Sequence, residues 1–96
     1  MGADGANVSS MGRNARPVSK ATKALAEAIR EAQGAANLSG AELARRAGIP
    51  YSSFRKIREG EVTISWEQIR MIVAALGIDA TDLVTRAEEI EDGFSR

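Results

Sequence analysis

Apolar residues recur at helical spacing in five blocks, separated by short polar breaks that contain glycine or asparagine. In the first block Ala21, Leu25, Ala28, Ile29 and Ala32 form one stripe. It predicts a helix from Ser19 or Lys20 to about Gln33, ended by Gly34-Ala35-Ala36-Asn37. The second opens with Leu38-Ser39-Gly40-Ala41-Glu42-Leu43. Ser39 can cap the free N–H groups of a first turn, and Glu42 can reach back to complete a capping box. Leu38 and Leu43 can close a hydrophobic staple around it. Gly48 stops this helix, because glycine tolerates the left-handed backbone of a sharp end. A third helix begins at Pro50 or Tyr51 and ends at Gly60, with Phe54 and Ile57 pointing inward. Ile64-Ser65-Trp66-Glu67-Gln68-Ile69 repeats the box and the staple, and predicts a fourth helix from Trp66 to about Leu76, stopped by Gly77. Trp66, set between Ile64 and Ile69, is expected in the core. Asp79 or Thr81 can cap a fifth helix with apolar positions Leu83, Val84, Ala87 and Ile90. Its acidic end, Glu88-Glu89-Ile90-Glu91-Asp92, is expected to fray. No stretch alternates as a strand does, so the expected class is all-α with five helices.

Residues 1–17 are rich in Gly, Ala, Asn and Ser and show no periodicity. The expected organisation is a flexible leader over 1–17, one helical domain over 18–91 and a short tail over 92–96. The 96 residues suit one compact domain, and 44% apolar content supports a modest core. Only four residues are aromatic, which favours helices packed on small side chains. There are no cysteines and no histidines. This removes disulfides, thiolate metal sites, the commonest general base and the commonest metal ligand, so neither a cofactor nor a metal is expected. No apolar run approaches the roughly 20 residues of a membrane span. The N-terminus has no secretory pattern, and Ala6 stands where a myristoylation signal wants Ser or Thr. The expected location is the cytoplasm.

Net charge is zero, but its distribution is uneven. Residues 37–60 carry five positive and two negative charges, whereas residues 61–96 carry three positive and eight negative. A basic middle beside an acidic end is an electrostatic footprint for phosphate, which responds to local potential and not to the total.

The second and third helices, with a glycine at the corner, fill about twenty residues, the size of a helix-turn-helix. The stretch LSGAELARRAGIPYSSFRKIREG resembles the XRE family of Cro proteins and phage repressor DNA-binding domains, and the resemblance runs over roughly residues 20–84. Its most specific parts are Glu42-Leu43-Ala44, Gly48-Ile49, Phe54 with Ile57, Gly60, and Ala75-Leu76-Gly77-Ile78 followed by Asp82-Leu83. It implies a five-helix, lambda-repressor-like DNA-binding domain. At about 100° per residue, Ser52, Arg55, Lys56 and Glu59 point away from Phe54 and Ile57, with Tyr51 and Arg58 on a flank. Hydroxyl, guanidinium and ammonium groups there can bond base edges. The family's base contacts fall at the start and middle of this helix, which implies Tyr51, Ser52, Arg55 and Lys56. The expected phosphate contacts are Ser39, Gly40, Arg45, Ser53 and Arg58. Arg13 and Arg16 form either an arm along the DNA or part of an inert leader.

Three positions depart from the family pattern. Gly40 stands where the family usually has glutamine, so only its backbone N–H is available to a phosphate. Pro50 replaces a capping Ser or Thr. Arg58 stands where a glutamate often pairs with an arginine on the first helix, a place filled here by Arg30. Two positive groups cannot pair, which leaves Arg58 a phosphate, Glu27 or Glu31. Ser52 or Ser53 with Lys56 does not make a nucleophile pair, since no oxyanion hole accompanies it, and no enzyme activity is expected. The functional expectation is a sequence-specific repressor of the phage or mobile-element type, bound to a double-stranded DNA operator as a weak dimer. The alternative is a protein-interaction module, such as an antitoxin, whose acidic C-terminal part holds a partner. The chain has few exposed apolar candidates for self-association; Val84, Ile90 and Phe94 are the ones expected.

Overall fold

The computed structural model describes residues 18–95. Arg13 and Arg16, and the expected leader as a whole, lie outside them. Five helices follow in order: α1 Lys20–Ala35, α2 Gly40–Ala47, α3 Tyr51–Arg58, α4 Trp66–Leu76 and α5 Ala80–Phe94. No strand occurs among the described residues.

Local signals place the helix ends. The Ser19 hydroxyl accepts from the Thr22 N–H, Ser39 from Glu42 and Ser65 from Gln68. Gly48 takes the left-handed conformation at φ 75°, which lets the Ile49 N–H return to the Ala44 carbonyl at 3.0 Å and turn the chain toward α3. The box expected in α4 is complete, because the Gln68 side chain accepts from the Ser65 N–H at 3.0 Å. The one expected in α2 is half made, since the Glu42 carboxylate turns to two arginines instead. Asp79 occupies the cap position of α5 without a side-chain bond, and Thr81 lies inside the helix.

Phe54, Ile29, Leu43, Ile57 and Ile72 are fully buried and join α1 to α4 in one core, which Leu83, Ala87 and Ile90 extend from α5. α1 packs chiefly on α5, and α2 lies against both α3 and α4. The buried positions of α1 are Ala24, Ala26, Ala28 and Ile29, while Ala21 is exposed and Leu25 half-buried. The face is rotated from the expected stripe because α1 is covered on two sides. α5 covers one, and α3 with the turn at Gly60 covers the other, where Gly60 passes close to Ala26.

Three expectations fail on α4 and α5. Trp66 is 59% exposed and is not core. The inward direction of α4 is set by Ile69, Ile72, Val73 and Leu76, and Trp66 lies about 70° from it, on a flank. Its ring borders a shallow groove with Ala80, Thr81, Val84, Thr85 and Glu88 and is open to solvent on its other side. Ile90 is buried and not available to a partner, so Val84 and Phe94 are exposed without it. α5 also continues through Phe94, into the segment expected as tail.

Candidate nucleic-acid interface

α3 has one buried edge. Phe54 and Ile57 fix it in the core, which turns Tyr51, Ser52, Ser53, Arg55 and Lys56 out to solvent. The helix is eight residues long, and Pro50 leaves its first amides without a side-chain cap. Arg55 and Lys56 have no ion-pair partner among the described residues. The four expected base-reading groups thus share one exposed helix, with two free cations among them.

A second group gathers at the N-terminus of α2. Gly40 is buried although it has no side chain. A Cβ built on it would stand 2.0 Å from an Arg58 guanidinium nitrogen, so that guanidinium lies where any other residue would put its side chain. The Arg58 side chain is 20% exposed, and its nearest carboxylate is that of Glu59 at 3.7 Å. It therefore turns neither to Glu27 nor to Glu31. The arginine expected to confront it takes another role: Arg30 donates from α1 to the Arg58 backbone carbonyl at the end of α3. A cation at a helix C-terminus satisfies an orphan carbonyl and the helix dipole together. Ser39 also stands at this end of α2, its oxygen accepting from the Glu42 N–H at 3.0 Å. The Gly40–Arg58 contact and the Arg30 cap were missed in the sequence. Their signal was there as two departures, a missing side chain at 40 and an extra guanidinium at 58.

Arg45 and Arg46 lie on the exposed side of α2, bound to Glu42. Arg45 Nε donates to Glu42 Oε1 at 3.2 Å, and Arg46 Nε to Oε2 at 2.8 Å. The hydrogen bond from Arg45, then that from Arg46, holds the Glu42 carboxyl down at about 2. Elsewhere Arg86 of α5 forks onto Glu31 of α1 at 2.8 and 2.9 Å and lowers the Glu31 pKa by hydrogen bonding. Among the described residues no group of His, Cys, Asp and Glu is placed to hold a metal ion, and no helix is long and apolar enough to cross a membrane.

A family model described as a helix-turn-helix domain matches residues 24–86, about two thirds of the chain. The chain belongs to the helix-turn-helix family. Its helix-turn-helix unit is α2, the turn at Gly48 and α3. The whole domain is similar to two crystal structures of the clp gene regulator ClgR from Corynebacterium glutamicum. One matches at TM-score 0.75 and 20% identity over 78% of this chain and 80% of that one. The other matches at 0.69 and 22% over 72% and 90%. It is also similar to the restriction-modification controller protein C.AhdI from Aeromonas hydrophila, at 0.62 and 26% identity over 65% of this chain and 94% of that one. No curated protein sequence matches. These likenesses fix the fold, that of all-α helix-turn-helix regulators.

Proposed function

We propose that this helix-turn-helix protein is a sequence-specific DNA-binding regulator that lays α3 in the major groove. The observation that carries the reading is the exposed face of α3, where Tyr51, Ser52, Arg55 and Lys56 stand together and neither cation pairs with a carboxylate among the described residues. Arg55 has the fork that binds guanine through two parallel bonds. Ser39, the Gly40 N–H, Ser53 and Arg58 contact phosphates on either side, and Arg45 does so when it leaves Glu42. The clp gene regulator and the controller protein are named as regulators, which supports a role in transcription. We take that role as repression of the phage or mobile-element type, by covering a promoter. One reading helix spans too few base pairs to single out a site, so two copies pair on a two-half-site operator. Trp66, Val84 and Phe94 are the exposed large apolar groups nearest to or on α5, and they form the self-association surface.

Selection of bound sequences from a random DNA pool tests the reading. A defined motif is expected, and Arg55→Ala should weaken binding to it by about 1–3 kcal/mol while relaxing preference at one base pair. Recovery of no motif would leave only non-specific binding. Equal loss on selected and random DNA would reduce Arg55 to a phosphate contact.

A further inference from the structure

We propose that Glu42 is a specificity-determining residue: it clamps Arg45 and Arg46 so that the positive charge of α2 is withheld from random DNA. The inference rests on the DNA-binding reading above. Glu42 is the third residue of α2, as Gln68 is of α4, and each follows a serine cap. Gln68 closes its box on the Ser65 N–H. Glu42 leaves the equivalent N–H of Ser39 and spends both oxygens on arginines, Oε1 on Arg45 and Oε2 on Arg45 and Arg46. The hydrogen bonds from both arginines hold the carboxyl well below its ordinary range, so it is an anion at neutral pH.

The cations of the helix-turn-helix unit are thereby sorted. On α3, Arg55 and Lys56 face solvent without an ion-pair partner among the described residues, ready for base edges. On α2, Glu42 takes Nε and Nη2 of Arg45 and Nε of Arg46, so a phosphate that approaches either arginine competes with the carboxylate for donors and meets its negative charge. Phosphate attraction carries no sequence information and supplies nearly all non-specific affinity. In the specific complex the docked α3 permits one orientation of α2, in which Arg45 already leaves Glu42 for a phosphate in the wild type. Non-specific encounters sample many orientations, and in some of these a freed arginine meets a phosphate. Opening the clamp therefore raises random-DNA binding more than specific binding.

The test compares four full-length chains: wild type, Glu42→Gln, Arg45→Ala with Arg46→Ala, and all three changes together. Each is titrated with selected and with random DNA over a salt series, after helix content is checked by circular dichroism. Glu42→Gln should raise random-DNA affinity by about tenfold at low salt, steepen the slope of log K against log salt by one to two units at about 0.9 per phosphate, and narrow the specific-to-random ratio. Removing both arginines should flatten that slope by less than one unit in the wild-type background and by about two after Glu42→Gln. Equal flattening in both backgrounds would make Glu42 only a diffuse negative charge and overturn the clamp. An unchanged slope in Glu42→Gln would also overturn it. If Glu42→Gln fails to fold, the arginine pair alone decides: a loss of about two units from otherwise wild-type protein shows that the arginines were free. A wild-type chain that binds no DNA sinks the DNA-binding reading itself, and the clamp with it.

Discussion

Arg58 and Gly40 show how two residues that look anomalous singly make sense as a pair. The guanidinium reaches the first turn of α2 because position 40 has no side chain to stop it. Gly40→Ala should therefore expel the flexible end of Arg58 and leave the fold intact, since alanine is also the better helix residue by about 0.5–1 kcal/mol. Thermal melts should show equal or higher stability. DNA titrations should show the same loss on specific and random sequences, with a salt slope shallower by about one unit, and no further loss when Arg58→Ala is added. A full additional loss from Arg58→Ala would place that guanidinium elsewhere on the DNA. The sequence displayed both departures but not their meeting, because the end of a long side chain is located by the tertiary approach of two helices. Glu42 gives a pH prediction at the same scale. Its folded pKa is depressed, so the stability it contributes is present in full above the ordinary value near 4.5 and is lost as pH falls toward 2. Following the carboxyl by NMR should find its midpoint near 2, and a midpoint above 4 would mean that the arginine pairs do not persist in solution.

Helix ends were legible because their causes are local. Ser39, Ser65, Gly48 and Gly77 each act within one turn, and the structure uses each of them. The exposed face of α3 was legible for a related reason: two large apolar residues three apart fix the orientation of so short a helix. Faces set by distant partners were harder. Trp66 sits beside two buried isoleucines in sequence and on a flank of α4, and whether such a flank is covered depends on where α5 lies. Trp66→Ala should accordingly cost less than about 1 kcal/mol in denaturant unfolding, whereas Phe54→Ala should cost about 3–5. A Trp66→Ala loss as large as that of Phe54→Ala would return the indole to the core. Loss of the Ser65 cap, by Ser65→Ala, should cost about 1 kcal/mol, because it orphans the Gln68 N–H and leaves only the bond from the residue 65 backbone N–H to the Gln68 side chain.

Across the whole molecule, basic and acidic regions separate. The helix-turn-helix unit holds the positive excess, while α5 carries Glu88, Glu89, Glu91 and Asp92. Like charges beside the exposed Val84 and Phe94 oppose pairing of free copies, and in the proposed pairing it is the operator that would offset this repulsion. Light scattering should find monomer or weakly associated protein without DNA, and two copies on a two-half-site operator. A tight dimer at nanomolar concentration without DNA would refute weak association. The Arg86–Glu31 fork spans α1 and α5 at the surface, where water and salt screen it, so apolar burial holds the two helices together.

That α1–α5 pairing bears on the order in which the chain is made. The two helices run antiparallel: Ala21 and Leu25 border a groove with Ala87 and Glu91, whereas Ala35 lies near Ile78. α1 leaves the ribosome early and must wait for residues 80–94 before its main apolar partner exists. α2 and α3 are synthesised in that interval, but the core that aims α3 includes Ile29 of α1, and before α5 is made α1 is covered only on the side of α3 and the Gly60 turn. A chain cut before α5 would carry every exposed side chain of α3 and lack the main apolar partner of α1, so the direction of α3 depends on a helix that never touches its exposed face.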